Sequence, residues 1–256
     1  MIHEWKLAET NLRRLSGSKM EVAVLPVGSM EPHNWHLPEG QDLLHTTYIA
    51  EQCCSKVWEK SKSIICLPTL PYGVDCNLLD FPMAIHISQE TLNAIIRDII
   101  VSLIRHGIHK IVLINGHGGN DFTSFIRQIQ CEMSVHVFQC NWWMVGHDIY
   151  DTIFDQIDDH AGEFETSVAL ALYPELVELE YAGNGVSKPY RFEALRQGWV
   201  KTSRNFSKLN DHCAVGNPHK SSADKGKKYL DVVINRISDF LLELSQSPVD
   251  EYFPHL

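Results

Sequence analysis

Four short apolar runs, each broken off by glycine or polar residues, constrain this chain more than any other feature. They are "EVAVLPVG" (21–28), "SIICLPTLPYG" (63–73), "KIVLINGHGGN" (110–120) and "VHVFQCNWW" (135–143). Each is rich in Val, Ile or Leu and shows little polar alternation, the pattern of strands covered on both faces. The stretches between them read as helices. Residues 45–61 align Ile49, Cys53, Val57 and Trp58 in one stripe. Residues 88–106 start from Ser88 as N-cap, with Glu90 in the first turn. They carry Leu92, Ile95, Ile96, Ile99 and Leu103 at helical spacing and stop at Gly107. Residues 221–245 repeat the amphipathic pattern through Tyr229, Val232, Val233, Ile237, Leu241 and Leu244. Strands alternating with helices predict an α/β fold, a mostly parallel central sheet flanked by helices, in a single domain over residues 1–256. The glycine- and proline-marked segment 183–220 reads as an irregular excursion from that domain.

Charge and cysteine usage narrow the partners. The net charge of -10 disfavours nucleic acid and anionic membrane surfaces, which select for basic patches. Stretches such as "IIRDIIVSLI" are interrupted by charge and fall short of a membrane span. The N-terminal "MIHEWKLAETNLRRL" has no continuous apolar segment of the secretory kind. Seven cysteines without a CxxC pair read as reduced thiols, as in a cytoplasmic protein. The expected partner is a small molecule.

In parallel sheets, ligands bind beyond the carboxyl ends of the strands. The first and third runs end in "GSMEPH" and "NGHGGN", so the two most histidine-marked motifs meet at one edge. Glu31 and His33 are two apart and on an extended segment point the same way. Asp42 can return from the following loop. Gly116, Gly118 and Gly119 around His117 permit close backbone approach. Carboxylates and imidazoles without thiolates suit Zn, Mn or Fe(II), and a shared carboxylate can bridge two ions. Singly these signals are weak. A Glu-x-His pair is common on surfaces, and "NGHGGN" also suits a glycine-rich turn or phosphate cradle, although it lacks the Lys-Ser/Thr of a P-loop.

Together the motifs are far more specific. "LPVGSMEPHNWHLPEGQD", "LPYG", "FP" (81–82), "NGHGGN", "HAGEFETS" (160–167) and "GNPHKSSADKG" (216–226) resemble the creatininase (creatinine amidohydrolase) family in order and spacing. The resemblance implies a metal-dependent hydrolase of C–N bonds with one or two divalent ions at the sheet's carboxyl edge. It carries the ligand roles to Glu31, His33, Asp42 and His117, with Asp42 bridging. It also implies a ring-like homo-oligomer, a hexamer or another multiple of dimers, with aromatic loops around Trp35 and Tyr190 to Phe192 as contacts. Creatininase has a further ligand, a Glu, where this chain has Gly119, so a fifth ligand must come from elsewhere. "HAGEFETS" supplies two acids at a predicted helix N-terminus, where negative charge is favoured. Glu165 shares a face with Val168, Ala169 and Leu172 and is the expected ligand. Glu163 is the alternative, or a catalytic carboxylate. His160 matches the family's proton-transfer group; a packed histidine bonded to a main-chain carbonyl is its plainer reading. His36, Trp35, Tyr72, Gly118 and Trp143 are the candidate substrate contacts, His36 alternatively ordering its loop and Trp143 alternatively entering the core.

The residues between the metal positions depart from the family. Its loop Glu-Gln-His-Gly-Pro-His is here Glu31-Pro32-His33-Asn34-Trp35-His36. Its Tyr-Gly-x-Ser-x-Glu-His is Tyr72-Gly73-Val74-Asp75-Cys76-Asn77-Leu78, and Phe-Pro-Gly-Thr is Phe81-Pro82-Met83-Ala84. The expected substrate is therefore a small polar amide, cyclic or linear, other than creatinine. The alternatives are hydrolysis of an oxidised cyclitol or sugar derivative and a non-catalytic small-molecule-binding metalloprotein.

Overall fold

All four apolar runs become strands of one sheet. The computed structural model describes residues 2–156 and 158–255. Its main elements are β1 (Val22–Val27), α1 (Gln41–Ser61), β2 (Ile64–Cys66), α2 (Gln89–Arg105), β3 (Lys110–Asn115), α3 (Thr123–Glu132), β4 (His136–Asn141), α4 (Glu163–Leu172) and α5 (Ala223–Gln246). The sheet order is β2-β1-β3-β4, and every pairing is parallel. Alternate strand residues point to opposite faces, which divides the core in two. Val22, Val24, Ile64, Val112 and Ile114 pack against α1 and α5 through Ile49, Cys53, Val57, Tyr229, Val233 and Leu241. Ala23, Leu25, Ile65, Ile111 and Leu113 pack against α2 and α3 through Leu92, Ile96, Ile100, Phe125 and Ile129. Burial on both faces explains why the strands lack polar alternation.

Both ends of α2 fall where the sequence places them. Ser88 caps α2, its side chain accepting from the Thr91 N–H. Gly107, at φ +78°, lets the Ile108 N–H return to the Leu103 carbonyl at 3.1 Å, the glycine C-cap geometry. In α5, a Cβ on Gly226 would lie 2.0 Å from the Ser167 carbonyl oxygen of α4. Glycine there lets the two helix backbones touch.

Other expectations are corrected. The second run leaves the sheet after Cys66, because Pro68 and Pro71 have no N–H for a ladder. Beyond it, Leu67 donates to the Val24 carbonyl at 2.9 Å and Leu70 forms an isolated bridge to Val27. The fourth run turns into a 3-10 turn at Trp142–Met144. Ile95 is exposed on α2, and Ile100 takes the inward position. The first long helix begins at Gln41 instead of residue 45, so Asp42 is a helical first-turn residue and not a loop residue. There the helix N-terminus favours its negative charge.

The register positions the site. Val27 pairs with Asn115, so β1 and β3 end level and release residues 28–42 and 116–120 side by side. The irregular segment 183–220 holds only short turns, at Glu193–Arg196, Phe206–Lys208 and Pro218–Lys220. It folds back over this edge and brings Phe206 and Arg204 to a cavity there.

Candidate metal centre

Five side chains from four segments converge at the carboxyl edge of the sheet. His117 Nδ1 lies 3.0 Å from Glu31 Oε1 and 3.0 Å from Asp42 Oδ2. His33 Nε2 lies 3.3 Å from Asp42 Oδ1 and 3.9 Å from Glu165 Oε2. Glu31, Asp42 and His117 thus offer one set of ligand atoms, and His33, Asp42 and Glu165 a second, with Asp42 common to both. Glu31, His33 and His160 form a third grouping around the same point. His160 Nδ1 lies 3.8 Å from Glu31 Oε1, while its Nε2 meets the Pro32 carbonyl at 2.9 Å.

Local structure holds each group in place. The His33 ring is fixed by Nδ1 donating to the Glu31 carbonyl at 2.9 Å, which leaves Nε2 facing the acids. Ala161 sits at φ +52°, and its N–H donates to Glu165 Oε2 at 2.6 Å. That strained turn aims the carboxylate. The loop carrying His33 is tied down by Asn34, whose amide exchanges hydrogen bonds with the Gly183 backbone.

The electrostatics favour an added cation. Burial pushes the Glu31 carboxyl up to about 8, opposed by His117 and reinforced by Asp42. Burial likewise raises Glu165 to about 7. Burial alone would lower His33, but the Asp42, Glu165 and Glu31 carboxylates together outweigh it and lift the ring to about 10. Burial raises the two glutamates and the neighbouring carboxylates raise the imidazoles, shifts that a divalent cation at this point would oppose. Glu31 Oε2 and His33 Nε2 are buried without hydrogen-bond partners. His33 Nε2 meets Asp42 only off its ring axis. Orphaned buried polar atoms are costly, and a divalent ion bound to these lone pairs would satisfy them. The donor set of oxygens and imidazole nitrogens suits such an ion.

The remaining sequence-predicted residues divide. A cavity of ≈ 620 Å³ opens onto Glu31, Asp42, His117, His160 and Glu165, and Gly118 and Trp143 line it. His36 does not line it: buried, it meets Thr166 Oγ1 at 2.8 Å and orders the loop. Trp35 and Tyr72 are exposed outside the cavity. Glu163 is turned away from the centre. It pairs with Lys225 and accepts from the Asp155 N–H at 2.9 Å, a folding contact. Sequence reasoning missed His45, Asp75, Arg204 and Phe206. His45 Nε2 lies 3.7 Å from Asp42 Oδ1, one helical turn on, and that spacing was a usable signal. Phe206 stacks edge-on against His160 from a segment that carries no periodicity.

Comparison with known proteins agrees with this geometry. The family model described as "Creatininase: Creatinine amidohydrolase" matches residues 6–241. Creatinine amidohydrolase of Pseudomonas putida is 28% identical over 242 residues, covering 87% of this chain and 89% of that protein. The 3-dehydro-scyllo-inosose hydrolase of Thermotoga maritima is 28% identical over 174 residues, 63% of this chain and 53% of that one. The mycofactocin precursor peptide peptidase of Mycobacterium tuberculosis is 26% identical, covering 83% and 81%. Among solved structures, a Bacteroides fragilis protein provisionally named creatinine amidohydrolase superposes with a TM-score of 0.89. It is 34% identical and covers 98% of this chain and 100% of its own. A manganese form of creatininase gives a TM-score of 0.72 at 25% identity, covering 95% and 99%.

Proposed function

The chain belongs to the creatininase family, and from that premise we propose that it is a metal-dependent hydrolase of a small polar amide. One observation carries the reading: Glu31, Asp42 and His117 on one side, and His33, Asp42 and Glu165 on the other, offer two ligand sets sharing one carboxylate. Three carboxylates nearly balance two divalent ions, in keeping with Zn, Mn or Fe(II) as the metal. A bound ion would polarise the substrate carbonyl and lower the pKa of water toward neutrality.

The protein's own groups supply the rest. The Nε2–H of His160 donates to the Pro32 carbonyl, which leaves the lone pair of Nδ1 toward Glu31 and the cavity. Burial lowers this ring to about 3, so near neutrality it is uncharged and Nδ1 carries no proton. His160 accepts a proton from the attacking water and returns it to the leaving nitrogen. Trp143 and Phe206 wall the cavity, exclude water and hold the apolar part of the substrate. The peptidase and creatinine amidohydrolase relatives favour a C–N bond. The match to an inosose hydrolase supports a second reading, hydrolysis of an oxidised cyclitol. The whole chain acts as one catalytic domain. Trp35 and Phe192, each 64% exposed, serve contacts between subunits of a homo-oligomer.

Turnover of a panel of cyclic ureas, lactams, short peptides and keto-cyclitols tests this, before and after chelation and with Zn²⁺ or Mn²⁺ restored. Amide turnover that disappears with the metal and returns with it is the expected result. Turnover indifferent to chelation refutes it.

A further inference from the structure

Behind the candidate ligands stands a carboxylate that does not line the cavity. Asp75 is fully buried. Ser29 Oγ donates to its Oδ2 at 2.5 Å, and its own N–H donates to His86 Nδ1 at 3.0 Å. The other oxygen, Oδ1, has no hydrogen-bond partner, yet it lies 3.0 Å from His117 Nε2. A buried carboxylate oxygen in that condition is costly unless its charge acts on a neighbour.

The neighbour is a ring whose two nitrogens face different tasks. Nδ1 of His117 points between Glu31 and Asp42. Nε2 faces only acceptors, the Val74 carbonyl at 3.2 Å and Asp75 Oδ1. A neutral imidazole carries one proton. On Nδ1, that proton would block the lone pair and set Nε2 against two oxygens. On Nε2, it frees Nδ1, donates to the Val74 carbonyl and places the N–H beside the Asp75 carboxylate.

Gly119 belongs to the same arrangement. A Cβ there would come within 2.3 Å of His117 Nε2 and 2.3 Å of the Val74 carbonyl oxygen. Any side chain at this position would occupy the space in which ring, carbonyl and carboxylate meet.

We propose that Asp75 is a positioning residue that holds the His117 proton on Nε2 and thereby presents Nδ1 as a lone pair toward Glu31 and Asp42. The proposal rests on the metal-centre reading above. Carboxylates behind a ligating histidine commonly play this part, and losing one costs about 10–100-fold in metal affinity.

The test uses Zn²⁺ as probe, in competition with a chelating dye, on the parent chain, Asp75→Asn, Asp75→Ser and His117→Ala. Asn keeps the shape but can turn an NH₂ toward Nε2, while Ser removes both charge and reach; either serves if the other misfolds. Both should bind Zn²⁺ about 10–100-fold more weakly with little change in melting temperature. In the Zn²⁺-loaded parent, long-range ¹H–¹⁵N correlation should find the His117 proton on Nε2. A proton on Nδ1 overturns the proposal, as does affinity within about twofold of the parent in both Asp75 variants while His117→Ala loses the metal. If His117→Ala also keeps its Zn²⁺, the ligand assignment itself falls and takes the proposal with it.

Discussion

His33 and His117 face opposite oxygens of a single carboxylate, although they lie on loops leaving different strands. Asp42 Oδ1 is 3.3 Å from His33 Nε2, and Asp42 Oδ2 is 3.0 Å from His117 Nδ1. Asp42 is also the one acid shared by the two candidate ligand sets. Asp42→Ala should therefore empty both positions together. Elemental analysis of protein purified without chelator should give about one to two first-row ions per chain, and almost none in the variant. Circular dichroism should show the fold retained. Full metal content in Asp42→Ala contradicts the assignment of Asp42.

Glu163 and Glu165 separate two roles on one helix. Two residues apart, they point about 160° from one another around the axis. Glu165 accordingly reaches His33, and Glu163 reaches Lys225. Glu165→Gln should weaken one metal position and suppress turnover with little change in stability. Glu163→Gln should leave metal content intact and cost about 2–3 kcal/mol, since it breaks an ion pair whose carboxylate is buried and also receives backbone N–H groups. Metal titration beside denaturant unfolding of both variants decides this. Metal loss in Glu163→Gln with none in Glu165→Gln reverses the two roles.

The parts of this arrangement legible in the sequence are those set by local pattern. The unbroken apolar runs of β1 and β3 required two covered faces, and their level ends brought Glu31 and His117 together. Helical geometry alone turned Glu165 inward. What sequence could not reach depends on how loops pack. Starting α1 at Gln41 moved Asp42 from a loop into a helix. His36 points at Thr166, a choice made by α4 packing against its loop. Asp75 reaches His117 across 42 residues of chain and Phe206 reaches His160 across 46, in segments where no periodicity constrains the side chains.

Assembly can be checked directly. Trp35 and Phe192 remain 64% exposed and Trp199 74%, aromatic surface that a contact between subunits would cover. Light scattering at micromolar concentration should report a multiple of dimers. A Trp35→Ser, Phe192→Ser double variant should shift it toward smaller species. A monomer in the parent protein rejects the oligomer.

His36 gives a pH dependence with a defined sign. The ring is 2% exposed, its Nε2 is engaged by Thr166 Oγ1, and its Nδ1 is buried without a partner. Burial lowers its pKa from 6.5 to about 4, and the charges of His33 and His219 add to that shift. The folded chain therefore refuses this proton until about pH 4, whereas the unfolded chain accepts it near pH 6.5. Between those values the unfolded state binds more protons, so this group's contribution falls as the pH falls. The slope for one proton is about 1.4 kcal/mol per pH unit, or about 3 kcal/mol over the whole window. His36→Gln keeps a donor for Thr166 and cannot titrate. Urea unfolding in EDTA, which removes metal release as a second source of pH dependence, should give the variant a shallower loss of stability from pH 6.5 to 4.5, by about one proton's slope. Above pH 7 the two stability curves should run parallel. Parallel curves below pH 6.5 as well would mean that His36 takes up its proton in the folded state.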